Sequence, residues 1–146
     1  MIRSRTNLLL IAGSLVWLTA IVLAPILHLE PVYRFFSLIC HQNPQRSWML
    51  AATPFPVCIR CIAIYTGFFV ALVFSMRDRT AMLQSAILAT LAEVVLEWTL
   101  IDSIVLRSLT GFALGAAIAP FVRIGVDEMI ETRFRRSRQG ALRNAM

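Results

Sequence analysis

Four apolar stretches, joined by short polar pieces, dominate the chain. The first runs from Leu8 to Leu27 without a charge. A bilayer core takes roughly 20 apolar residues as helix, so this stretch alone is long enough to span one. The second begins near Pro56 or Ile62 and ends at Met76. The third, Ala81 to Ile101, carries Glu93 and Glu97, and the fourth runs from about Leu109 to Val122. Tight polar turns, Arg77-Asp78-Arg79-Thr80 and Asp102 to Arg107, separate the last three. The pattern predicts an all-α integral membrane four-helix bundle over residues 1–126, with spans at about 8–27, 57–76, 81–101 and 107–124. An Arg-rich tail, 127–146, continues the last helix and frays by Gly140. Arg3 and Arg5 would suit a signal peptide. The apolar run is longer than a signal core of about 7–15 residues and no A-x-A site follows, so it reads as a retained helix.

Composition supports the membrane reading. Hydrophobic residues make up 58% of the 146 and charged residues 15%. Globular chains average about 45–50% and about 25%. All fourteen basic residues are arginine, which excludes lysine-based chemistry. Ten arginines flank one side of the bundle: Arg3, Arg5, Arg77, Arg79, Arg123 and the five from Arg133 to Arg143. Arg34, Arg46, Arg60 and Arg107 lie on the other. The positive-inside rule then places both termini in the cytoplasm of a multi-pass protein of the bacterial inner membrane. The net charge of +6 faces anionic lipid headgroups at the tail; no motif supports nucleic acid. Tyr33, Arg34, Phe35 and Phe36 predict a short interfacial helix on the outer surface.

The one long connection, His28 to Arg60, faces outward between the first two spans and holds all three cysteines. Cys58 and Cys61 form C-x-x-C, and Cys40 is followed by His41. Three thiolates and an imidazole make a Cys₃His set that zinc accepts as a closed tetrahedral site. Soft thiolates also accept copper(I), and iron is a further candidate. Adjacent residues tend to point apart, so His28 or Glu97 is an alternative fourth donor to His41. The same C-x-x-C is the spacing of a redox dithiol, with Arg60 between the cysteines to favour thiolate. A plain disulfide is the blander alternative.

These residues carry a resemblance. Cys40, His41, Gln42, Pro44, Arg46 and Ser47, then Pro56, Cys58, Arg60, Cys61, Ile64, Tyr65 and Gly67, match a pattern C-H-Q-x-x-P-x-R-S…P-x-C-x-R-C-x-G-I-Y-x-G, with Ala63 replacing a glycine. Arg107, Thr110, Gly111 and Gly115 match a later L-R-x-L-T-G-x-x-x-G. The chain resembles the small prokaryotic predicted membrane proteins grouped as domain of unknown function 2085. The resemblance implies a polytopic membrane protein and no particular activity.

Glu93 and Glu97 share a face of the third helix. Carboxylates at membrane depth must face the bundle interior or be protonated. Counting about 1.5 Å per residue from the turn near Met76 puts Glu97 level with Cys61 and Glu93 about one turn deeper. Glu97 is thus expected to pair with Arg60 or Arg107, or to stand behind the metal ligands. Gly111 and Gly115 are spaced for close helix packing, within the bundle or between copies. The leading expectation is a metal-stabilised membrane module, an accessory to a larger complex. The alternatives are a thiol oxidoreductase working with quinone or a partner protein, and a small ion or proton transporter using Glu93 and Glu97.

Overall fold

The computed structural model describes residues 2–50, 52–75, 80–99 and 103–144, with side chains for 5–50, 52–75, 80–96 and 103–133. Of the described residues, 81% are helical. Helix α1 (Ile2–Leu27) leads into a short α2 (Glu30–Ser37), and then come α3 (Ile59–Val73), α4 (Thr80–Thr99) and α5 (Ile104–Asn144). A 3₁₀ turn (Pro44–Arg46) and a two-stranded hairpin lie between α2 and α3. In the hairpin, β1 (Met49–Leu50) pairs antiparallel with β2 (Thr53–Pro54). Among the described residues, two segments are long and apolar enough to cross a membrane: Arg5–Leu27 and Ile104–Arg133. Helix α3 is shorter than its expected span of 57–76. It begins after Cys58 and stops at Phe74, where Ser75 turns with φ of 49°. Helix α5 is longer than expected and runs unbroken through Gly140 to Asn144. The turn at 76–79 and the end of the third stretch at 100–102 lie outside the described residues.

Glycine sets how closely α3 and α5 approach. A Cβ on Gly115 would overlap the Ile64 carbonyl, and one on Gly67 would overlap the Phe112 carbonyl. At Gly111 a Cβ would lie 2.8 Å from the Arg60 carbonyl oxygen. The two backbones therefore touch along two turns, close enough for Cα–H···O contacts. This is the most extensive helix contact in the chain. The spacing of Gly111 and Gly115 thus serves packing inside one chain. Toward the far end, Ala71, Leu72, Ala116 and Ala119 close the same interface. Helix α1 lies at the side, against α3 and α5. Only 17% of its apolar window is buried, against 39% for α5, which suits a helix surrounded by lipid.

Helix α4 packs against α5, and an ion pair reaches it from α3. Arg60 Nη2 donates to both oxygens of Glu93, at 2.8 and 2.7 Å. Arg107 Nε on α5 stands 4.0 Å from Glu93 Oε1. The Thr110 hydroxyl makes its shortest bond to Leu106 O, at 2.9 Å, and lies 3.4 Å from Glu93 Oε2. Glu93 and Arg107 are buried, 4% and 3% exposed. The carboxylate that Arg60 reaches is the deeper acid. The Glu97 side chain falls outside those described. A guanidinium on a flexible stem can reach one turn away, and counting helical rise places only the backbone.

Two outcomes follow. Gly115→Ala should destabilise the protein by about 1–3 kcal/mol through overpacking. Gly13→Ala, with nothing within 4 Å of the added Cβ, should be neutral or gain up to about 1 kcal/mol from helix propensity. Thermal unfolding in detergent reads both, and equal effects would refute the glycine contact. Glu93→Gln removes the buried carboxylate that Arg60 and Arg107 face and should cost up to roughly 3–5 kcal/mol; an unfolding midpoint unchanged from the parent would show that the pair does not hold α4.

Candidate metal centre

The segment between α1 and α3 converges on the start of α3. Helix α1 ends in a Schellman-type cap: His28 takes the left-handed position with φ of 50°, and Leu29 N–H donates to Ala24 O at 3.1 Å. The chain reverses there into α2, which starts with Glu30-Pro31. Phe36 from α2 packs with Trp17, Ile21, Val57 and Ile62, and Cys40 is buried in the same cluster. Cys58 is the N-cap residue of α3, and Cys61 follows in its first turn. C-x-x-C across a helix start puts both side chains at one end of the helix, as capping residues are placed.

Cys40, Cys58 and Cys61 hold their Sγ atoms within 4.8 Å of one another, and all three thiols are free. Zinc–thiolate bonds of about 2.3 Å at tetrahedral angles put neighbouring sulfurs about 3.8 Å apart. The three sulfurs therefore need to close by about an ångström or less to grip one ion. A disulfide would engage only two of them. The backbone N–H of Cys58 donates to Cys40 Sγ at 3.2 Å. That bond ties the Cys40 side chain to the first turn of α3. The Cys58 thiol is pushed down to about 5, first by a hydrogen bond from the Cys61 thiol, which outweighs the opposing effect of burial. Thiolate is the species that metals bind.

The expected fourth donors are placed differently. His41 is exposed and is not in the sulfur group. His28 is exposed at the α1 cap. The Glu97 side chain lies outside the described residues. Arg60 and Arg107 sit beside the centre, and Arg107 is near enough to Arg46, Arg60, Glu93 and Cys58 to interact electrostatically with each. Positive charge next to the Cys58 thiolate lowers the cost of holding it ionised.

One residue that builds the site belongs to the matched motif, but its part is visible only in the fold. Gln42 adopts φ of 47°, and its Nε2 donates to Tyr33 O at 2.6 Å and Pro56 O at 2.9 Å. Gln42 lies two residues after Cys40, and Pro56 two before Cys58. The amide therefore stitches together the two segments that carry the cysteines. The Tyr33 hydroxyl adds a bond to Pro54 O at 2.6 Å. Asn43 Oδ1 caps the 3₁₀ turn by accepting from Gln45 N–H at 3.0 Å, and Ser47 Oγ donates to Asn43 O at 3.0 Å. A glutamine two residues from a cysteine has many uses, and only the fold shows this one.

Short stretches of the chain are similar to two archaeal proteins. It is 48% identical over 42 residues to an uncharacterized protein of Methanocaldococcus jannaschii, covering 29% of this chain and 27% of that protein. It is 47% identical over 34 residues to an uncharacterized protein of Methanothermobacter thermautotrophicus, covering 23% and 31%. These matches span less than a third of the length of either relative. No solved structure matches significantly. The family described as predicted membrane protein (DUF2085) matches residues 40–121, from the first cysteine into the second apolar half of α5. Those residues hold the whole cysteine cluster and the α3–α5 glycines, and the chain belongs to that family of predicted membrane proteins.

Proposed function

We propose that this protein is a four-span module of the bacterial inner membrane whose outward-facing end holds one metal ion, most simply zinc, on Cys40, Cys58 and Cys61. The observation that carries the reading is the approach of three free thiols to within 4.8 Å of one another. His41 is the proposed fourth donor, since it adjoins Cys40 and a modest turn of the exposed loop would bring it in. Four protein ligands leave no open position, so the role is structural. In this reading α1, α3, α4 and α5 span the bilayer with both termini in the cytoplasm, and the arginine-rich end of α5 meets anionic headgroups. A chain with so little mass outside the membrane suits an accessory part of a larger assembly or of a homo-oligomer.

Thiol redox chemistry is the second reading, favoured by the depressed Cys58 thiol. Transport through Glu93 fits less well, because Arg60 occupies both carboxylate oxygens.

Elemental analysis of gently purified protein, with thiols counted on the same sample, separates the first two. The metal reading expects about one ion per chain, no disulfide, and loss of both metal and stability in Cys58→Ser. No metal with two thiols oxidised would transfer the case to the redox dithiol. Gln42→Ala should weaken metal binding about 10–100-fold, although glutamine is no ligand here, because residues that orient ligands have effects of that size. Unaltered affinity would show that the two cysteine segments meet without it. For orientation, an impermeant maleimide added to intact cells after metal removal should label the cysteines; labelling only after lysis would reverse the topology.

A further inference from the structure

Tyr65 lies one turn beyond Cys61 on α3. Side chains of a helix lean toward its N-terminus, so each covers the face of the residue four places before it. The Tyr65 ring therefore leans toward Cys61. It belongs to the same packed cluster as all three cysteines. Trp17 stands against it edge to face, 5.8 Å between ring centroids, and Phe36 lies tilted at 6.5 Å. Trp17 in turn meets Phe35 and Phe36 of α2, which places this aromatic group at the cysteine end of the bundle.

The hydroxyl on that ring has few places to give its proton. It is near enough to Cys61, Cys40, Cys58 and the Trp17 indole to interact with each. A phenol both donates and accepts, whereas an indole N–H only donates. Trp17 Nε1 is buried and falls short of full hydrogen-bonding geometry with any acceptor. The Tyr65 oxygen is the acceptor beside it. With Trp17 on the accepting side of the phenol, the phenol proton is left for a sulfur.

The three sulfurs differ in what they receive. Cys40 Sγ accepts from the backbone N–H of Cys58 at 3.2 Å. Cys58 feels the backbone N–H groups of Arg60 and Cys61. Cys61 is the giver of the set, since its thiol donates to Cys58. An ion taking the place of that proton leaves Cys61 a thiolate, and a thiolate is a better acceptor than a thiol. Tyr65 is then the donor that its own helix holds over it.

From this arrangement we infer that Tyr65 is a positioning residue of the metal centre, its hydroxyl donating to the Cys61 thiolate while Trp17 Nε1 donates to the hydroxyl oxygen. This role rests on the metal reading. A hydrogen bond to a ligating atom fixes its direction and tunes how strongly it donates to the metal. Here it draws electron density away from sulfur.

Cobalt(II), added to the metal-free full chain in detergent, is the probe, because its sulfur-to-metal charge-transfer band reports how strongly the thiolates donate. The parent should bind about one cobalt per chain and show that band. Tyr65→Phe keeps the ring and removes only the hydroxyl. It should move the band to longer wavelength and weaken binding about 10–100-fold. Trp17→Phe should move the band the same way by less, and it decides the matter if Tyr65→Phe does not fold. Phe68→Leu loosens the packing of α3 about one turn deeper and should leave the band in place. An unmoved band in Tyr65→Phe would overturn the inference. So would an equal shift in Phe68→Leu, since the effect would then be one of packing. A parent without any thiolate band would bring down the metal reading itself, and the role of Tyr65 with it, so the two failures are distinguishable.

Discussion

The backbone contact between α3 and α5 governs the rest of this structure. Hydrophobic burial drives little helix association inside a bilayer, because lipid tails are as apolar as leucine. Close van der Waals contact has to do the work, and it falls off over fractions of an ångström. Gly67, Gly111 and Gly115 remove the side chains that would hold the helices apart. The position of α3 follows, and with it the place of Cys58, Arg60 and Cys61 in its first turn. Arg60 occupies both roles at once: its carbonyl faces Gly111 and its guanidinium reaches Glu93. A shift of α3 along α5 would therefore disturb the cysteine centre and the buried ion pair together.

The ion pair adds specificity where packing alone is permissive. A buried carboxylate with two arginines is weak evidence for net stability, because desolvation offsets much of the attraction. It is strong evidence for register, because a slip of one helical turn would strand charge among apolar side chains. α4 exposes Ile87, Leu88, Leu91 and Val95, an apolar surface with little to choose between rotations about its axis. Glu93 selects one. The same argument explains why a carboxylate appears in a helix that is otherwise largely apolar.

The sequence made some of this legible and hid the rest for definite reasons. The apolar stretches announced helices at four of the five places, because composition and length are enough for that. α2 could be read from Tyr33 to Phe36, whose mixed polarity suits an interface. C-x-x-C and a third cysteine pointed to a thiol centre, and the three sulfurs do meet. The hairpin at Met49–Pro54 was illegible, since two-residue strands have no period to detect. The cap role of His28 depends on a left-handed backbone that asparagine or glycine would have signalled and histidine does not. Glu93 was separated from Arg60 by helical rise, a measure blind to side-chain reach. Gln42 bonds to two carbonyls, and carbonyls belong to every residue.

The outer segment and the helical bundle answer to different forces. Helices α3 and α5 meet through apolar contact that owes nothing to thiols. The loop from Cys40 to Cys58 has such support only at its ends, where Cys40, Phe55 and Val57 join the cluster of Ile21, Phe36 and Ile62; between them it is a 3₁₀ turn, a minimal hairpin and a few side-chain bonds. The two Gln42 bonds and the Tyr33 bond contribute roughly 1 kcal/mol each. A cross-link closing a loop of about this length contributes around 3 kcal/mol by restricting the unfolded chain, comparable to all three together. An ion held by Cys40 on one side and by Cys58 and Cys61 on the other would thus rival those three hydrogen bonds together. It would also anchor the exposed loop to the one part of the molecule, the first turn of α3, whose position the glycine contact already determines. That division gives the site its logic. The rigid pair of helices supplies two sulfurs at fixed places, and the pliant loop brings the third.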